Sequence, residues 1–435
     1  MIFDTLIYDG LILTMNPSME IIQNGFICIQ DGIICRIEPR TYEIPLPAAI
    51  RKINAKGMIV APGLINTHTH LPMSLFRGIA TDMSSSQLHQ NYIVPAENKY
   101  IHPENVRLGT LLSCCEMLLS GTTTCCDGYF YEDDIAWSII DAGMRGVLGQ
   151  CIIDSPAPDV PDPENNIRHA IAFIERWQSI SPLIKPSIFC QSAYSCSSET
   201  LKDAKDISAS KNLLFQIHVA ETKEEWNQIR LDHRKTPIQY LDSLEILDQN
   251  TLLVHGVWVN ENDIDIISKC KAKISHNPES NAKLASGIAP VPEFFQSGIT
   301  VGLGTDNCAS NNNMDLFQEM SFAAKLHKVN QGNPSIMDAQ TILKMATINA
   351  AKAIQMDQRI GSLEPGKEAD LIILDINSPH CVPMHDPMAH MVYSACQSDV
   401  KYVFIAGKQI VKDRQILTIN MDEVIHRVRK IQFKS

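Results

Sequence analysis

No apolar run in this 435-residue chain approaches the roughly 18 uninterrupted residues that cross a bilayer as a helix, so no membrane partner is expected. Positive charge is in deficit. Lys and Arg number 37 against 49 Asp and Glu, a net charge of −12 that repels phosphate backbones and anionic lipid, so nucleic acid is not an expected partner either. The 13 cysteines are odd in number and none falls in a CxxC pair. Most sit inside apolar runs such as SIFCQ and VLGQC, which reads as buried free thiols in a reducing cytoplasm rather than a disulfide framework. The opening MIFDTLIYDGLILTM has no basic leader and carries two Asp, so a signal peptide is not expected. Also missing are a GxxxxGK[ST] phosphate loop and the HxE…PCxxC signature of one zinc deaminase fold.

What is present is the balance of a globular protein with a large core: 45% hydrophobic, 20% charged, 21 Gly and 23 Pro. DTLIYDGLILTM, GFICIQDGIICRIEP and RKINAKGMIVAPG read as short strands separated by DG, NG and KG turns. GKEADLIILDIN and VKYVFIAGKQIVKDRQIL have the same texture. The expectation is one small β-sandwich built from both termini, residues 1–60 and 365–435, the latter also holding a terminal helix. Between them, residues 61–364 alternate eight apolar runs with amphipathic stretches such as NVRLGTLLSCCEMLLS, NNIRHAIAFIERWQSI and LFQEMSFAAKLHKV. Eight such alternations predict an α/β fold, a distorted (β/α)8 TIM barrel. The acidic, Pro-rich SPAPDVPDPENN (155–166) reads as a long loop over its mouth.

In such a barrel the active site lies at the C-terminal ends of the strands. His68 and His70 close the first run, two apart and therefore on one face of a strand. His218 ends FQIHV with Glu221 three residues on, His255 ends TLLVH, and Asp306 follows ITVGLG. Each alone is as readily a satisfied core histidine or a capping Asp; all of them at one end of four strands form a pattern. Three imidazoles and a carboxylate without thiolate suit Zn2+, with Fe2+ as the alternative. His68, His70, His218 and Asp306 can hold the ion and leave a position for water. His255 and Glu221 remain to move protons. No Lys lies near the end of the fourth run, since Lys185 opens it, so one metal is expected rather than two bridged by a carbamylated lysine.

The strings APGLINTHTHLPMSLFRG, HVAET, LVHGVW, SHNPESNAKLASGIAPV, GLGTDNCASNNNMDLFQEM and GSLEPGKEADLIILD resemble the amidohydrolase superfamily, and within it the methylthioadenosine/S-adenosylhomocysteine deaminases. The resemblance covers nearly the whole chain. It implies one catalytic metal and hydrolytic release of ammonia from an aminated heterocycle. By it His68, His70, His218 and Asp306 match the metal ligands, and Glu221 matches the acid that protonates the ring nitrogen. His255 matches the histidine beside the attacking water, whose proton Asp306 also accepts. Glu97, 29 residues after His68, falls where adenosine-type members bind the ribose hydroxyls.

Three departures bear on substrate. IATDMSSSQLHQNYIVPAE replaces the usual lid pattern over residues 80–95, Gln150 stands where many members put an arginine facing the homocysteine carboxylate, and Gln191 where the branch has a histidine. Losing such an arginine costs a few kcal/mol for an anionic substrate. The expected activity is a metal-dependent deaminase of a small molecule of adenosine type: 5′-methylthioadenosine, adenosine or S-adenosylhomocysteine. The alternative is another ring (guanine, a pterin or an s-triazine), for which Gln150 and Gln191 offer amides that both donate and accept. A barrel kept only as a non-catalytic scaffold would be expected to have lost ligands, and here all are present. Homo-oligomers are common for such barrels, and no stretch marks an interface.

Overall fold

The computed structural model describes residues 2–431. Eight strands follow one another in chain order in a single sheet: Leu64–Thr69, Thr122–Tyr129, Arg145–Ile152, Ile184–Ser192, Phe215–Val219, Thr251–His255, Lys273–His276 and Val301–Leu303. Register is parallel from the third strand to the eighth. The first three are buried at every position, without alternation, as strands covered on both faces must be. Three of the helices between them start where a short polar side chain accepts a backbone N–H: Ser197 from Thr200, Thr222 from Glu225, Asn260 from Asp263. The predicted amphipathic stretches are the helices Pro103–Leu119, Asn166–Trp177 and Leu316–Gln331. No helix among the described residues is long and apolar enough to cross a membrane.

The ring of strands is closed by one side-chain amide and one backbone hydrogen bond. The amide of Asn66 on the first strand donates to Thr305 Oγ1 at 2.8 Å and accepts the Thr305 N–H at 3.0 Å. One residue on, the Asp306 N–H donates to the His68 carbonyl at 3.0 Å. Gly304 completes the seam: a Cβ there would lie 2.9 Å from the His68 nitrogen and 2.8 Å from Ser275 Oγ, so any larger residue would push the first strand away.

A second sheet of nine strands comes from both termini. Its joint is the antiparallel pair Met58–Pro62 with Leu371–Asp375. Ile7, Ile27 and Ile29 share one buried cluster with Ile373 and Phe404, while Leu6, Phe26 and Cys28, on alternate positions, fill another. The DG and NG pairs behave differently from expectation. Asp31-Gly32 and Lys56-Gly57 do form turns, but Asp9-Gly10 and Asn24-Gly25 lie inside the long strands Phe3–Leu13 and Ile21–Gln30. There Gly10 pairs with Gly25 across register shifts, and Asp9 and Asn24 take φ of 63° and 50°. The same left-handed preference that builds hairpin turns here builds bulges.

Two compact units result. One holds the terminal sheet with Cys115–Thr124 and the helices following Asp315. The other holds Asn66–Cys114, Cys125–Met314 and the terminal helix Met421–Arg429. Every candidate site residue belongs to the second.

Replacing Asn66 by Ala orphans the buried Thr305 N–H. We expect a stability loss of about 3 kcal/mol in urea denaturation together with weaker metal retention; a variant as stable as the parent would show that the seam does not depend on this amide.

Candidate active site

The imidazoles of His68, His70 and His218 turn their Nε2 atoms toward one point. His218 Nε2 lies 3.0 Å from His68 Nε2 and 3.3 Å from His70 Nε2, and Asp306 Oδ1 is 3.7 Å from both His68 and His70 Nε2. Atoms bound at about 2.1 Å to one tetrahedral ion stand about 3.4 Å apart, so this spacing fits a shared divalent cation. The tautomers agree. His70 Nδ1 and His218 Nδ1 must donate to the carbonyls of Gly128 (2.6 Å) and Gln191 (2.8 Å), which leaves lone pairs on the facing Nε2 atoms. Lone pairs aimed at one another repel unless a cation sits among them. Burial, with the neighbouring imidazoles, holds His68 and His218 well below the usual histidine range and so keeps them neutral.

Asp306 is fixed on its other side. Its Oδ2 accepts from Ser280 Oγ at 2.6 Å and Ser310 Oγ at 2.8 Å, and its Oδ1 from Asn307 at 2.9 Å. Burial works against its charge, but the surrounding imidazoles and the Ser280 hydroxyl bring the carboxyl below its ordinary value. His255 presents Nε2 to Glu221 Oε2 at 3.9 Å while its Nδ1 is held by Asn281 Oδ1 at 2.9 Å. Glu221 is pushed upward by burial, with Asp306 adding and His255 opposing. A buried carboxyl whose pKa is raised beside a cation site is suited to act as an acid. Ala220, His255 and Asp306 leave their strands at φ of 53°, 75° and 60°, left-handed conformations that cost about 1–3 kcal/mol each and gather here at one end of the barrel.

The remaining predicted residues lie at different places around this centre. Glu97, on the helix Val94–Tyr100, accepts the Tyr129 hydroxyl at 2.6 Å, and the Tyr129 ring packs 5.9 Å from that of His70. Gln150 is buried with both ends of its amide engaged: Nε2 donates to Asp159 at 2.9 Å and Oε1 faces the Glu132 N–H at 3.5 Å. It therefore anchors the acidic loop. Gln191 serves His218 through its backbone carbonyl, while its side chain meets Cys151 Sγ at 3.7 Å. The segment 80–95 is helical from Ser85 onward.

Several supporting residues have no local signature. Glu225 reads as the end of a Thr222–Glu225 capping box, yet its carboxylate reaches back to the N–H groups of Ala220 and Glu221, both at 2.8 Å. It thereby sets the backbone that carries Glu221. Asp127 accepts the Thr69 hydroxyl at 2.6 Å and the Leu71 N–H at 2.7 Å, bracketing His70. Ser310 stands four residues after Asp306, the one spacing that could have suggested its role. Asn311 holds the Asp306 loop, donating to the Thr305 carbonyl at 2.8 Å, and Asn313 donates both to Glu279 and to Asn311 Oδ1, each at 3.0 Å.

Residues 59–410 match the model of the amidohydrolase family. The 5-methylthioadenosine/S-adenosylhomocysteine deaminase of Syntrophobacter fumaroxidans is 41% identical over 428 residues, covering 98% of this chain and 97% of that protein. The 5′-deoxyadenosine deaminase of Methanosarcina acetivorans is 38% identical, with 98% and 97% covered. Among solved structures, an adenosine deaminase from Xanthomonas campestris with bound zinc superposes with a TM-score of 0.96 at 30% identity, covering 98% of this chain and 97% of that one.

Removing both hydroxyls that hold Asp306, in the double variant Ser280→Ala/Ser310→Ala, should weaken zinc binding about 10- to 100-fold in chelator competition; unchanged affinity would separate Asp306 from the cation site.

Proposed function

The chain belongs to the amidohydrolase family, and from that premise we propose that it is a zinc-dependent deaminase that converts an adenosine-type nucleoside and water to the inosine-type product and ammonia. The observation that carries this reading is the convergence of His68, His70, His218 and Asp306 on one point, with Glu221 and His255 facing each other beside it.

A Zn2+ ion held by those four residues would supply Lewis acidity and a nucleophilic water at neutral pH. The rest falls to the chain's own side chains. Glu221 donates its proton to the ring nitrogen next to the amine-bearing carbon, which makes that carbon electrophilic. Asp306 accepts one proton of the attacking water and passes it to the departing amine, so that ammonia leaves. His255, oriented by Asn281, orients the water, whose second proton returns Glu221 to its acid form. Glu225 holds Glu221 through the backbone. Glu97 accepts the sugar hydroxyls. The unpaired cysteines, including the buried Cys125, Cys126 and Cys190, suit a reducing cytoplasm.

The position of Gln150 favours neutral substrates. Its uncharged amide donates to Asp159 and accepts the Glu132 N–H, so the position supplies no cation to pair with a carboxylate. The same engagement, with the acidic loop and the Glu132 backbone, weakens the support that a fully free Gln150 amide would lend to a guanine, pterin or triazine substrate. Ammonia release from the zinc-loaded protein over a panel of 5′-methylthioadenosine, 5′-deoxyadenosine, adenosine, S-adenosylhomocysteine, guanine, a pterin and an aminated triazine tests this. We expect kcat/KM for the neutral adenosine derivatives to exceed that for S-adenosylhomocysteine by more than about tenfold. Equal use of S-adenosylhomocysteine would overturn the preference, and turnover of only another ring would overturn the substrate class.

Glu221→Gln should keep its metal and lose about 10²- to 10⁴-fold in kcat; an active variant removes Glu221 from the acid role.

Burial pushes Glu97 up to about 7, against the pull of the Tyr129 hydroxyl. Above that pH it is a carboxylate able to accept both sugar hydroxyls, and below it the carboxyl is neutral and loses acceptor strength. KM should therefore rise severalfold from pH 8 to pH 6 in the parent and stay flat in Glu97→Gln; parallel profiles would place the sugar elsewhere.

A further inference from the structure

In the terminal-sheet unit, the excursion between the strands Leu371–Asp375 and Val400–Ile405 folds as two short turns, Pro379–Cys381 and Gln397–Asp399, flanking the helix Pro387–Tyr393. It brings together four side chains that play no part in the chemistry above. Asp399, 3% exposed, is their centre. Its Oδ2 lies 2.9 Å from His380 Nε2, 3.5 Å from Cys396 Sγ and 3.8 Å from Cys381 Sγ, and Cys396 Sγ is 3.7 Å from the same His380 nitrogen. We propose that His380, Cys381, Cys396 and Asp399 form a second cation site, a two-thiolate, one-imidazole, one-carboxylate set for a zinc-type divalent ion.

The distances fit that chemistry. With sulfur at about 2.3 Å and nitrogen or oxygen at about 2.1 Å from a tetrahedral ion, sulfur stands about 3.6 Å from its nitrogen and oxygen neighbours. The three sulfur contacts bracket that value. Only the His380–Asp399 pair is closer, as a direct hydrogen bond that an ion would open by a few tenths of an ångström.

Two other readings account for less. In a Cys–His–Asp nucleophile relay, the carboxylate orients one imidazole nitrogen while the thiol uses the other. Here Cys396 and Asp399 both address Nε2, which is how ligands converge and not how a relay is wired. Asp399 also accepts the Cys396 N–H at 2.9 Å, closing the turn Cys396–Asp399. That reciprocal capping box, in which the Cys396 side chain also meets the Asp399 backbone N–H, explains the contacts between Cys396 and Asp399, but not why His380 and Cys381, 19 and 18 residues upstream, aim at the same carboxylate. A further histidine borders the group. His390 is 5% exposed, its Nε2 is buried without a partner among the described residues, and it feels the charges of both Asp399 and His380. Thiolates distinguish this set from the nitrogen-and-oxygen set of the barrel, and they favour zinc over magnesium or calcium. Once loaded, the ion would staple the base of the excursion, as structural zinc does in small loops.

The experiment counts metal in the full chain. Protein prepared with zinc and dialysed against metal-free buffer should hold two equivalents. Reconstituted with Co2+, it should show a near-ultraviolet thiolate-to-cobalt band that the thiolate-free barrel set cannot produce. Cys396→Ser should lose one equivalent and the band while retaining deamination. His380→Ala, at a half-exposed position, provides the same test should the cysteine variant fold poorly. Asp306→Ala should lose the other equivalent and keep the band, so failure of this proposal and failure of the barrel assignment read out separately. Cys35→Ser, an exposed thiol elsewhere, should change neither. One equivalent without the band, a band that survives both Cys396→Ser and His380→Ala, or a Cys381–Cys396 disulfide in freshly reduced protein would each overturn the proposal.

Discussion

Closure of the strand ring at its seam is the constraint on which the site depends. The first and last strands carry His68, His70 and Asp306, and their relative height is set by the Asn66 amide and by the Asp306 N–H on the His68 carbonyl. A metal site tolerates little error in position, since ligand distances vary by only about 0.2 Å. The same backbone hydrogen bond that closes the barrel therefore places a carboxylate opposite two imidazoles. Gly304 permits the approach, and the left-handed turn at Asp306 directs its side chain back over the strand ends instead of along the chain.

Around that seam the polar groups form a graded set of environments. Two of the imidazoles, those of His70 and His218, are committed through Nδ1 to backbone carbonyls. Asp306 is charged because serines and imidazoles surround it, whereas Glu221, a short distance away, is held toward its acid form by burial. Two carboxyl groups with opposite protonation preferences, next to one cation site, are what separates an acceptor of the water's proton from a donor to the substrate.

Much of this was legible in the sequence, and the reason is periodic. A buried strand reads as an unbroken apolar run, so a polar residue that terminates it, as in FQIHV or TLLVH, announces both the strand and the end of it that faces the chemistry. Eight such runs also announce the barrel. The residues that hold the site are less visible because their partners are remote: Asn66 and Thr305 are 239 positions apart, and Ser280 meets Asp306 across 26. Glu225 is masked by a motif that reads as an ordinary helix cap. Asp9 and Asn24 show a different limit, because the residue pairs that make a tight turn also make a bulge, and only the partner strand decides between them. The His380–Asp399 group is hidden likewise, since no short spacing links residues 19 positions apart.

The terminal sheet carries a consequence for how the chain is made. Its joint pairs Met58–Pro62 with Leu371–Asp375, and about 310 residues separate the two. At roughly 5–20 residues per second, a ribosome takes about 15–60 s to deliver the second strand after the first. Throughout that interval the N-terminal strands expose an apolar edge with unpaired backbone groups, an invitation to pair with any other nascent chain. Synthesis, and not the finished fold, is where this protein is most vulnerable.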